Sequence, residues 1–63
     1  MKSKPEILAS LMEGIKAGNV PDTALIQFDV TGRLNDKGAL SYLVQRGIVT
    51  LDETNLLKQG DIR

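Results

Sequence analysis

The chain has 63 residues, 41% of them hydrophobic, with eight basic and eight acidic side chains and neither cysteine nor histidine. That length predicts a single small domain over residues 1–63, in which a lone core contributes roughly 3–5 kcal/mol net. The missing thiols exclude disulfides, and with imidazoles missing too the usual zinc ligands are absent. A formal charge of zero gives no global pull toward nucleic acid or anionic lipid.

Ser3-Lys4-Pro5-Glu6 reads as a helix start. Ser3 can accept from the N–H three residues on while Glu6 reaches back to the N–H of Ser3, and Pro5 falls in the first turn, where its missing donor costs nothing. Ile7, Leu11 and Ile15 form one i, i+4 row with Leu8 and Met12 beside it, and Gly18-Asn19 suits a left-handed ending. A helix over 4–17 is expected. Gly14 inside it costs roughly 1 kcal/mol against alanine, so it marks a place where a neighbouring helix comes close.

Residues 21–31 support two readings. Ile26, Phe28 and Val30 alternate with Gln27, Asp29 and Thr31, the period of a half-buried strand. Against this, Pro21-Asp22 suits a helix start and Thr31-Gly32 a helix stop, and no second alternating run offers a pairing partner. The helix reading over 21–31 is preferred; the alternative is an α+β fold with residues 24–31 as a strand paired across a dimer. As a helix the segment is apolar on more than one side, which implies docking against another surface.

A third helix is predicted over 35–46, opened by Asn35 and Asp36, with Ala39, Leu40, Leu43 and Val44 as its stripe. A fourth, over 50–59, starts with a Thr50…Glu53 capping box and carries Leu51, Leu56 and Leu57. Asp61-Ile62-Arg63 reads as a fraying tail. Gly18-Asn19-Val20, Gly32-Arg33-Leu34 and Gly47-Ile48-Val49 repeat one connector grammar at spacings of 14 and 15 residues. In each, the aliphatic residue sits where it can pack against the following helix as a hydrophobic staple. The fold class is therefore all-α: four short helices joined by Gly-x-aliphatic turns.

Chemistry is sparsely represented. Without histidine, Ser3, Ser10 and Ser41 have no ordinary base to activate them. Asp52 and Glu53 are adjacent, so on a helix they do not face each other, and both suit a first turn. Gly32 and Gly38 lack the Lys-Ser/Thr of a phosphate loop, and the acids from Asp29 to Asp36 lack calcium-loop spacing. The expectation is a non-enzymatic protein with no cofactor, no metal and no small-molecule substrate. No apolar run approaches the roughly 20 residues of a membrane span, and no leader pattern is evident, so a cytoplasmic location is expected.

In its strand reading, segment 25–31 followed by two helices resembles the ribbon-helix-helix repressors. The resemblance implies a DNA-binding dimer in which Gln27, Asp29 and Thr31 face outward with Arg33 beyond them. Zero net charge and scattered basic residues oppose it. The preferred reading is a small interaction, assembly or regulatory protein, suited to an accessory role in a bacterium or its phage. It would bind itself as a homo-oligomer, another protein, or both. Leu25, Ile26, Phe28, Val30 and Tyr42 are the candidate partner-binding residues, Phe28 foremost because large aromatics dominate interface energetics.

Overall fold

The glycines divide the chain as the connector grammar implies. In the computed structural model, which describes residues 2–60, four helices form: α1 Lys4–Lys16, α2 Asp22–Thr31, α3 Lys37–Gln45 and α4 Leu51–Gln59. No strand occurs among the described residues, so the α+β alternative for 24–31 is overturned: Asp22 opens a helix there and Gly32 closes it. The tail at 61–63 lies outside the described residues. Among the described residues no helix is long and apolar enough to cross a membrane.

The three connectors are of two kinds. At the end of α1 the Asn19 N–H donates to the Gly14 carbonyl (2.8 Å) and the Gly18 N–H to that of Ile15 (3.0 Å), the paired bonds of a Schellman ending. The end of α3 repeats them, from Ile48 to Leu43 (2.9 Å) and from Gly47 to Val44 (3.0 Å). Both turns need a left-handed residue, and Gly18 and Gly47 supply it at φ 79° and 72° without the steric penalty of a β-carbon. The middle connector is wired differently. Gly32 bonds back to the Phe28 carbonyl, and the Leu34 N–H then crosses to the Leu57 carbonyl of α4 (2.9 Å). The recurring unit is thus the helix pair. Leu11, Val20 and Phe28 in the first pair match Leu40, Val49 and Leu57 in the second, each 29 positions on, and all six are buried.

Helix starts follow the expected chemistry with two corrections. Thr50 and Glu53 form the anticipated capping box, each side chain bonded to the other's backbone N–H (3.2 and 2.8 Å). Ser3 stands at the N-cap of α1 but makes no cap bond; its hydroxyl donates to the Glu6 carboxylate instead (3.1 Å). There the charged acceptor outcompetes the backbone for the one hydroxyl. Helix α3 begins at Lys37 rather than Asn35, because the Asp36 carboxylate accepts from the Ala39 N–H (2.8 Å) and so fixes Asp36 as the cap. Removing the α4 box with Thr50→Ala is expected to cost about 1 kcal/mol. In a chain of this size that lowers the melting temperature by roughly 4–8 °C, readable in a thermal melt.

The core takes Ile7 and Leu11 from α1, Ala24 and Phe28 from α2, Ala39, Leu40 and Leu43 from α3, and Leu57 from α4. Val20, Leu34 and Val49 complete it, so each connector contributes its aliphatic residue to the interior. Helix α1 packs against both α2 and α3. No polar or charged side chain is buried among the described residues.

Candidate functional site

A helix turns about 100° per residue, and on α2 this separates the apolar residues into two groups. Ala24 and Phe28 point inward and are buried; Ile26 lies on the opposite side, with Val30 one turn further on. Ile26 is 60% exposed and Val30 77%. Asp22 and Asp29 are also exposed and stand three or four positions from Ile26, so they flank this ridge.

The five residues singled out in the sequence therefore part company. Ile26 and Val30 form one outward surface. Leu25 is half-buried and packs against the core. Phe28 is 0% exposed and is the largest fully buried side chain, so in this conformation it offers no contact surface. Its place in the shared core, among buried residues drawn from all four helices and the connectors, outweighs the reasoning that a large aromatic on an over-apolar segment faces out. Tyr42 is half-buried for a different reason. Its ring lies over Gly14 of α1, where an added β-carbon would collide with Val20 and come within 3.0 Å of Tyr42 Cε2. Gly14 thus marks the close helix approach that its position implies. Over the same ring sits the Arg46 guanidinium, 5.8 Å from its centroid and 3.2 Å from the Glu13 carboxylate.

A second apolar surface was not anticipated. Helices α3 and α4 leave an open groove of about 380 Å³, with Leu40, Val44 and Leu51 as its apolar lining and Lys37 and Lys58 at its rim. Leu51 is 74% exposed. A signal for it exists in the sequence: Leu51, Leu56 and Leu57 lie about 100° or more apart round the α4 axis, so one core cannot cover all three. Leu57 is buried, while Leu51 and Leu56 are exposed.

Of two other hollows, the first is mainly polar and the second mixed. One is lined by Asn19, Ser41, Tyr42 and Arg46 among others, the second by Thr23, Gln27, Asn35 and Asp36 among others. In the second, the Asp36 carboxylate is engaged by the Ala39 N–H of the α3 cap (2.8 Å). Among the described residues no three acidic, histidine or cysteine side chains gather where they could hold a metal ion. Of the adjacent acids, Glu53 serves the α4 cap and Asp52 is exposed. Besides the exposed Met12 and Leu56, the molecule presents a convex apolar ridge flanked by Asp22 and Asp29 and a concave groove lined in part by Lys37 and Lys58. No protein-family model, curated protein or solved structure matches this chain.

Proposed function

We propose that this is a non-catalytic protein-interaction module that associates with copies of itself, in an assembly or regulatory role. One observation carries the reading: Ile26 and Val30 stay exposed although the core closes without them. Single exposed aliphatic residues are ordinary. A β-branched pair on one helical turn, in a chain this short, is surface whose covering would add stability the small core lacks. The DNA-binding alternative loses its main support, because the strand it required is helix α2.

Sedimentation equilibrium from about 10 µM to 1 mM tests the reading. The weight-average mass is expected to rise with concentration above the 6.9 kDa of one chain. Ile26→Asp/Val30→Asp is expected to stay monomeric with unchanged helicity, since both side chains lie outside the core. A constant 6.9 kDa for the unaltered protein ends the self-association reading.

A further inference from the structure

We propose that the contact between copies is head-to-tail: the Ile26–Val30 ridge of one copy seats in the α3–α4 groove of the next. This rests on the self-association reading and names its geometry. Shape and charge both lead to it. Lys37 and Lys58 are the ionisable side chains that line the groove, and neither forms an ion pair among the described residues. The ridge is flanked by the Asp22 and Asp29 carboxylates, which are likewise unpaired there. Lys4 approaches this region, but its ammonium donates to the Asp29 carbonyl (3.1 Å) and sits over the Phe28 ring (5.9 Å), at the C-terminal end of α2. Asp22, in the first turn at the other end of α2, is exposed and makes no ion pair among the described residues.

The symmetric arrangements do worse. Ridge against ridge brings aspartates toward aspartates, and groove against groove brings lysines toward lysines; like charges across a contact suppress it. Each also leaves the other apolar surface uncovered. Ridge in groove pairs opposite signs and covers both. Such a contact is heterologous, so every open assembly retains one free ridge and one free groove at its ends, and it grows as a filament unless a ring closes. The contact offers two β-branched aliphatic residues and no aromatic or arginine anchor, so it is a weak one, with a dissociation constant taken on the order of 10–100 µM.

A mixing experiment reads this directly. The ridge variant is Ile26→Asp/Val30→Asp; the groove variant is Leu51→Asp/Lys58→Glu, with Lys37→Glu/Lys58→Glu as a second in case the first misfolds. All these positions are exposed, and circular dichroism checks that each variant keeps its helicity. Each alone is expected to be monomeric at 300 µM, about three or more times the dissociation constant. Mixed one to one, they are expected to form a species of twice the monomer mass and nothing larger, because one intact ridge meets one intact groove. Association of the unaltered protein is also expected to weaken at least about fivefold between 20 and 500 mM salt, as screening shortens the reach of the rim charges. If the unaltered protein associates but the mixture stays monomeric, the head-to-tail geometry is wrong while the self-association reading stands. A groove variant that still associates alone, or an association indifferent to salt, also overturns it. A protein monomeric up to 1 mM overturns both.

Discussion

Phe28→Ala is expected to leave half or more of the chain unfolded at 25 °C. The side chain is completely buried and is the largest in the interior. Truncating a buried phenylalanine costs about 3–5 kcal/mol, from lost transfer energy and the cavity left behind, and the whole domain has roughly that much to lose. The Lys4 ammonium over its ring adds a contribution of about 0.5–1 kcal/mol that disappears with it. Circular dichroism with a urea titration decides the matter. A cooperative transition displaced by less than about 1 kcal/mol would show that Phe28 is peripheral. The comparison with Ile26→Asp is informative, since two residues two positions apart on α2 are expected to give opposite phenotypes: one abolishes the fold, the other only the association.

The second large effect is expected at Gly14, where helix propensity and packing oppose each other. Alanine is favoured over glycine in a helix interior by about 0.8–1 kcal/mol, so a surface glycine replaced in this way would stabilise. At Gly14 the new β-carbon has nowhere to go: Val20 is a stiff β-branched side chain buried beside it, and the Tyr42 ring closes the other side. Overpacking of this kind costs about 1–3 kcal/mol. With a stiff buried side chain in the way the cost falls in the upper part of that range, about 2–3 kcal/mol; less the propensity gain, Gly14→Ala is expected to destabilise by about 1–2 kcal/mol, lowering the melting temperature by roughly 4–16 °C. Gly14→Ala/Val20→Ala discriminates the cause. Removing the Val20 methyls relieves the collision, so the double variant is expected to be more stable than the two single losses added together. Strict additivity would show that steric conflict is not the reason for the glycine.

Most of the helical layout was legible because its signals are local. Caps, end glycines and apolar stripes lie within a few residues of the boundaries they set; most bounds differed by at most one residue, and the start of α3 by two because Asp36 takes the cap. Residues 24–31 show why periodicity alone misleads. A strand would put Ile26, Phe28 and Val30 on one face; a helix turns about 200° between alternate residues, which buries Phe28 and exposes the other two. The helix was inferred from Pro21, Asp22 and Gly32, but the partition of its apolar residues was not, since that depends on where α1 and α3 stand. The groove was illegible for a stronger reason. Its walls come from two helices whose relative angle is set by the Ile48 turn and by the Leu34–Leu57 bond, and neither follows from the pattern of either helix.

The interior contains no buried polar side chain among the described residues, and that has an effect beyond stability. Aliphatic contacts are indifferent to direction, so such a centre cannot by itself prefer one mutual orientation of its helices over a slightly rotated one. The orientation is dictated from the periphery, by the left-handed glycine in each of the three connectors and by the strut from Leu34 to α4. Sequence drift could therefore exchange one oily residue for another of similar volume inside with little change of shape, while a β-carbon at Gly18 or Gly47, though it meets no neighbour, would strain the corner that orients the helices by about 1–2 kcal/mol.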